Sequence, residues 1–361
     1  MFTLKSSDSN HIDFQIKNVD LSIVNAIRRI VLSEIPNVAF DFDAYDEKND
    51  ITIHTNTCAL HNEFLAHRIS LIPLCFDAEE IENFLPEKYR FVLKKKNDTS
   101  EIMNVTTADF EIYDENNVKY DDKFKKKIFP ANKTTKDHIL ITKLKPNLYD
   151  YGKGEEIDIE CRASLNIART HARWSPVSKC TFFNTLDDAA VKVAAADAKD
   201  KNKFDTLDKY RLFQKNKYDE PDSFEFAIES ECRLTPQYLV GKALDVITDK
   251  VSSFKENLGT LEITKDKNID NFYNACVYNE THTLLNVLQS LIYNQSFRAE
   301  PSEKVLEYVG FHQSHPLDNK MVLKMKFTSE VNVLEFLKEH CIKIIDTLSS
   351  LKAQWVEKTA K

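Results

Sequence analysis

The amino-acid sequence predicts an α+β fold: two related strand-and-helix units in one chain, the first interrupted by a β-rich insert. Three observations carry this prediction. Residues 19–36 read as an amphipathic helix, with Ile23, Val24, Ile27, Ile30 and Val31 on one broad apolar face and Arg28 and Arg29 leaving it together. The pattern then returns. A constant shift along the chain carries those five residues onto Leu284, Leu285, Leu288, Leu291 and Ile292, and carries Ser22 onto Thr283 and Asn25 onto Asn286. An alternating, strand-like segment precedes each copy, with Ile12, Phe14 and Ile16 in the first and Tyr273, Ala275 and Val277 in the second. A second, shorter shift carries another strand and helix onto a later pair. Phe224, Phe226 and Ile228 fall on Met321, Leu323 and Met325; Leu239, Val240, Ile247, Val251 and Phe254 fall on Phe336, Leu337, Ile344, Leu348 and Leu351. Two matches in the same order, each a strand followed by a helix, argue for a duplicated unit. The difference between the two shifts is the insert.

Taken in order, the first helix has clear ends. Asp20 or Ser22 can accept from its first free N–H groups, and Pro36 turns the preceding residue away from helical geometry. Residues 38–42 read as a strand, 43–50 as an acidic loop and 51–56 as another strand. Between Thr55 and Leu74, Leu60, Phe64 and Leu65 share a face of a short helix that Pro73 closes. Residues 75–165 alternate repeatedly, at 90–93, 109–113, 139–142 and 157–161. Residues 187–222 are charged and Ala-rich, an exposed excursion that is helical around 189–198. The strand and helix at 223–258 close the first unit, and Leu258-Gly259 is the junction. The expected domains are therefore 1–43 with 173–258, the insert 44–172, and a second, smaller unit at 259–361.

Composition excludes several function classes. Only five glycines are present, and only Gly152 and Gly154 lie close together; there is no Walker-type loop and no dinucleotide fingerprint, which weakens every nucleotide-dependent enzyme reading. No apolar run reaches the ~18 residues of a membrane span. The N-terminal residues lack the apolar core of a signal peptide, which makes the expected compartment intracellular. Seven cysteines, odd in number and scattered, fit reduced thiols. No two lie within five positions, so no zinc knuckle is expected, and Cys58, Cys75, Cys161, Cys180, Cys232, Cys276 and Cys341 read as small core residues. A net charge of −8 argues against a general field for nucleic acid. The runs Lys94–Lys96 and Lys123–Lys127 read as solvated faces, with a local nucleic-acid contact as the competing reading.

Three histidine sites invite chemistry. His61 and His67 are six residues apart, which puts them on different faces of a helix and makes them interface groups rather than a metal pair. His171 stands near Ser175, but a nucleophile needs a base held by a third group and an oxyanion pocket, and nothing local supplies either. Arg169, Arg173 and Trp174 instead suggest a basic, aromatic protein interface.

These residues resemble a family. Asn25 through Ala39 resembles the signature helix of the α-type assembly subunits of multisubunit DNA-directed RNA polymerases. Thr55 through Leu74 and His171 through Val177 resemble two further motifs of the larger, third-subunit-like branch. Glu280 through Leu288 and Gly310 through Leu317 resemble the two motifs of the smaller branch. Five motifs in order span most of the chain.

The resemblance implies a fusion of two normally separate partners, similar to those of nucleocytoplasmic large DNA viruses; the Asn- and Lys-rich composition agrees. It implies an intramolecular pseudo-dimer of two α-type RNA polymerase dimerisation units, in which Ile23, Ile27, Ile30 and Val31 pack against Leu284, Leu288, Leu291 and Ile292. Fusion would raise the effective concentration of that contact to the mM range. It implies a non-catalytic platform for the largest and second-largest polymerase subunits and for small assembly subunits, with Arg28, Arg29, His67, Arg68, His171, Arg173 and Trp174 meeting the second-largest. Nucleic acid is reached only through the complex, and neither membrane, cofactor nor metal is implied. For a viral source, the expected place is the cytoplasmic viral factory and the virion. The sequence departs from the family in lacking the cysteine cluster of some third-subunit relatives, in carrying Leu285 where the smaller branch often has Gly, and in lacking a DNA-binding domain after the second unit. Two other readings stay open: a hydrolase using His171 with Ser175 or nearby acids, and a binding module of another complex.

Overall fold

The structure is a computed structural model and describes residues 1–45, 49–147, 149, 153–231, 233–298 and 304–360; Gly152 and Cys232 lie outside them. The chain opens with an antiparallel hairpin, β1 (Phe2–Ser7) and β2 (His11–Lys17). Ile12, Phe14 and Ile16 turn inward from β2, as its alternation requires. Helix α1 follows (Leu21–Ser33). Asp20 caps it, accepting from the Ser22 N–H at 2.8 Å and from the Ser22 hydroxyl.

A β-rich region comes next: β3 (Pro36–Ala39), β4 (Ile51–Asn56), α2 (Asn62–Ser70), α3 (Ala78–Glu82), β5 (Arg90–Lys96), β6 (Met103–Thr106), β7 (Glu111–Tyr113), α4 (Asp122–Ile128), β8 (Leu140–Leu144), β9 (Glu156–Cys161) and β10 (Ser164–Ile167). It holds a four-stranded sheet ordered β4-β9-β5-β7 and the pairs β6-β8 and β10-β3. Phe40, Phe91, Phe110 and Phe129 form its aromatic core, with Phe40 edge-on to Phe91 at 5.0 Å and Phe110 stacked on Phe129 at 5.1 Å. The inward face of α2 differs from the expected one. Leu65, Ala66 and Ile69 are buried, whereas Phe64 is 60% exposed beside the His61 ring and Leu60 lies in the turn before the helix. One helical turn separates Leu65 from Ile69, and that spacing sets the face.

The chain returns through β11 (Val177–Asn184), α5 (Asp188–Asp197), α6 (Lys201–Thr206), β12 (Ser223–Ser230) and α7 (Pro236–Glu256). No side chain of α5 is buried. The second set is β13 (Glu262–Lys265), β14 (Phe272–Tyr278), α8 (His282–Ile292), β15 (Leu306–Gln313), β16 (Lys320–Phe327) and α9 (Val333–Thr359). Sheet order is β1-β2-β12-β11 in the first set and β13-β14-β16-β15 in the second. Both therefore run first, second, fourth, third, with a helix after the second strand and a longer helix after the fourth.

The chain folds into two compact units. One comprises Met1–Leu32, Lys179–Glu229 and Pro236–Lys361 and contains both strand-and-helix sets. The other comprises Ser33–Ser178 and Ser230–Thr235. It extends beyond 44–172 because β3 pairs with β10 in register from Pro36–Ile167 to Ala39–Ser164, and because Phe40 packs in its core. Among the described residues, no helix is long and apolar enough to cross a membrane.

Candidate functional site

In the two-set unit, α1 and α8 run antiparallel and are linked at both ends. Near the end of α1, Arg29 Nε donates to Thr283 Oγ1 at 2.8 Å. Near its start, the Asp20 carboxylate lies 2.9 Å from the Ser290 hydroxyl through both oxygens and accepts from Asn294 Nδ2 at 2.6 Å. The shift that relates the two sets carries Arg29 onto Ser290 and Ser22 onto Thr283. The two links thus fall at equivalent ends of the helix pair, with Ser290 reaching Asp20, which holds Ser22, where Arg29 reaches Thr283. Such mutual contact is the mark of an isologous, two-fold interface. Ile23, Ile27, Ile30, Val31, Leu284, Leu288, Leu291 and Ile292 are all buried on these helices, as is Leu285. A third link lies beyond α8. Arg298 makes two hydrogen bonds to Glu220, at 2.9 and 2.5 Å, and stacks over Tyr218 at 4.1 Å. The hydrogen bonds from Arg298 hold the Glu220 carboxyl below its ordinary range.

The longer helices form a second antiparallel pair. α7 and α9 pack along one another. Trp355 on α9 is buried, donates from Nε1 to the Gln237 carbonyl at 2.9 Å, and lies against Phe2 at 5.1 Å and Phe14 at 4.8 Å. A side chain of the second set thus fills the core of the first. Lys352 and Asp245 add an ion pair at 2.5 Å along the same seam.

Of the seven residues expected to face a large partner, Arg28 and Arg29 belong to this unit and five to the β-rich unit. Arg28 is half-buried and its guanidinium bonds Asn25 Oδ1 at 3.0 Å. His67 and His171 are exposed. Arg68 is exposed too, but it donates to the Ile141 and Leu140 carbonyls, each at 3.0 Å. Arg173 and Trp174 are corrected by the structure. The Arg173 side chain is 4% exposed and ties together the Phe40 and Phe42 carbonyls and Asp41. Trp174 is buried and donates to the Ser164 carbonyl. Their hydrogen bonds are internal, so they organise the unit rather than present an anchor.

The hydrolase reading fails on geometry. The Ser175 hydroxyl donates to the Val177 carbonyl at 2.9 Å, and His171 Nδ1 accepts from the Arg173 backbone N–H and Nε. Among the described residues, no base is hydrogen-bonded to that serine. Burial and the Arg173 charge lower the His171 pKa, and His67 acts in the same direction. Among the described residues, no group of three His, Cys, Asp or Glu side chains is placed to hold a metal ion.

The sequence of contacts fits a known pairing domain. Residues 13–251 match the RNA polymerase Rpb3/Rpb11 dimerisation domain, and residues 273–354 match it a second time. The chain belongs to the Rpb3/Rpb11 dimerisation-domain family. It is 24% identical over 313 residues to subunit 3B of DNA-directed RNA polymerases IV and V of Arabidopsis thaliana, covering 72% of this chain and 91% of that protein. It is 30% identical over 192 residues to the rpac1 subunit of DNA-directed RNA polymerases I and III of Dictyostelium discoideum, covering 49% and 50%. It is 28% identical over 188 residues to DNA-directed RNA polymerase II subunit RPB3 of Schizosaccharomyces pombe, covering 50% and 58%. The chain thus spans about half of the latter two relatives.

Several residues that link the two Rpb3/Rpb11-type domains carry no sequence signal of that role. Glu220, Tyr218 and Arg298 sit in irregular segments without periodicity. Within the second domain, His340 and Ser296 form a buried pair at 2.6 Å that joins α9 to the π-helical turn Tyr293–Phe297 and is equally without a sequence signal. Only Ser290, equivalent to Arg29 under the repeat shift, could have been found from the sequence.

Proposed function

We propose that the chain is a non-catalytic assembly subunit of a multisubunit DNA-directed RNA polymerase. In this reading its two dimerisation domains pair within one chain and form the platform on which the largest and second-largest subunits dock, joined by small assembly subunits. The observation that carries it is the doubled dimerisation domain whose short helices are linked end to end by Arg29–Thr283 and Asp20–Ser290. The kinship with subunits of DNA-directed RNA polymerases supports the same reading. Arg28 and Arg29 on one unit and His67, Arg68 and His171 on the other keep surface atoms, and these carry the proposed contact with the second-largest subunit. Nucleic acid is reached through the complex. The fused arrangement further supports a nucleocytoplasmic large DNA virus as source, with the protein in the viral factory and the virion; antibody staining of infected cells and mass spectrometry of purified virions test this.

The functional test is a tagged co-purification from cells that express the polymerase, with bound chains identified and their stoichiometry weighed. One copy of this chain with two very large polymerase subunits is the expected result. Recovery of this chain without any large partner contradicts the proposal.

A further inference from the structure

The positive charge of the β-rich unit is unevenly neutralised. Its basic runs are largely paired: Lys94 with Asp158, Lys95 with Asp109, Lys96 with Glu156, and Lys127 with Asp77 and Glu80. Arg68, Lys143 and Lys145 differ. Among the described residues, no carboxylate pairs with the side-chain cation of any of the three, although the Glu155 carboxylate accepts from the Lys145 backbone N–H at 2.7 Å. All three border one depression of about 320 Å³. Its floor is aliphatic, from Leu60, Ile102 and Leu140, and Ile102 and Leu140 are 62% and 39% exposed. Exposed aliphatic surface rimmed by charge marks an interaction site.

The rim is also pre-organised. Arg68 Nε and Nη2 are fixed on the Ile141 and Leu140 carbonyls, which holds the guanidinium flat along β8 with its charge uncompensated. A carboxylate arriving there meets a cation that need not be ordered first. The lining selects among occupants. Among the described residues, no aromatic ring lines the depression, so these residues offer no platform for stacking bases. A second copy of the chain placed face to face would set the same three cations against each other.

We propose that this depression docks an acidic peptide segment of a partner protein, one with large aliphatic side chains between its carboxylates. The aliphatic side chains fill the space over Ile102 and Leu140, and the carboxylates meet Arg68, Lys143 and Lys145. The inference shares Arg68 with the proposed large-subunit contact, but its test turns on Ile102, Lys143 and Lys145, so its failure leaves that reading untouched.

The test uses the full-length chain and a short fluorescein-labelled peptide of alternating Asp and Leu, followed by anisotropy. The expected result is saturable binding that weakens with added salt. It falls about tenfold or more in Ile102→Asp and in a Lys143→Glu/Lys145→Glu double variant. A Lys123→Glu/Lys126→Glu variant, altered at lysines that do not line the depression, binds as the parent does. All of these positions are exposed, and unchanged melting curves establish that each variant is folded. The proposal is overturned if Ile102→Asp binds the peptide normally, if an Asp-Ser peptide of equal length binds as tightly, if oligo-dT binds more tightly, or if light scattering shows two copies meeting through Ile102.

Discussion

The two antiparallel helix pairs of the Rpb3/Rpb11-type unit solve one problem with different chemistry. The α1–α8 pair is joined at both ends by polar groups, with Arg29 on Thr283 and Asp20 on Ser290 and Asn294. The α7–α9 pair is anchored by Trp355, which reaches from the second set into the aromatic core of the first. Hydrogen bonds and charge pairs are directional, and their net contribution is modest. Burial of a large ring is non-directional and large. Both pairs bury apolar side chains; the polar end links of α1–α8 add the direction that fixes which residues meet, and Trp355 of α7–α9 adds a large anchor from the second set in the first.

Trp355→Ala is the strongest way to break this division. The account expects a loss of about 3–5 kcal/mol in denaturant unfolding, since the cavity left against Phe2 and Phe14 cannot close fully. A loss similar to that of a surface substitution would show that Trp355 anchors nothing. Asp20→Ala comes next, at about 1–3 kcal/mol. It removes the cap of α1 and leaves Ser290 and Asn294 without their acceptor. A double-mutant cycle with Ser290→Ala separates the cap from the link between helices: coupling clearly above zero is expected, and strict additivity contradicts the link.

Acidification sharpens the comparison at the junction of α8 and α9. His340 is buried, with Nδ1 2.8 Å from the Phe336 carbonyl and Nε2 2.6 Å from Ser296 Oγ. The carbonyl can only accept, so Nδ1 carries the proton and Nε2 accepts from the serine. A second proton removes that acceptor, and burial accordingly lowers the His340 pKa from 6.5. A pKa lowered in the folded state means that the unfolded chain binds the extra proton more readily. The contribution is therefore complete above pH 6.5 and is lost as pH falls through the folded value. Melting measured downward from neutral pH should show this loss, and His340→Gln should flatten it. Lys352→Ala is the smallest effect. Its ion pair with Asp245 is 42% and 38% exposed, so less than about 1 kcal/mol is expected from the same denaturant titration.

The repeated architecture was legible because periodicity survives sequence divergence. Ile12, Phe14 and Ile16 against Tyr273, Ala275 and Val277 still mark two equivalent strands, and α7 and α9 keep matching apolar faces. Partnership was less legible. Periodicity says that a face is covered, not by what, so nothing in the sequence singles out Trp355 as the side chain that reaches Phe2 and Phe14. Arg173 and Trp174 read as surface anchors because those residue types usually are. Backbone carbonyls of Phe40, Phe42 and Ser164 satisfy them inside the unit, and no sequence pattern displays a carbonyl in the right place. The edges of the β-rich unit were misplaced for a related reason: β3 and β10 are short, distant in sequence and defined only by their pairing.

The central claim is that the two dimerisation domains pair within one chain, and the mass of the purified protein in solution tests it most directly. Multi-angle light scattering across a dilution series should give 41.8 kDa at every concentration. A species of twice that mass that persists on dilution would show the domains pairing between chains and would contradict the account.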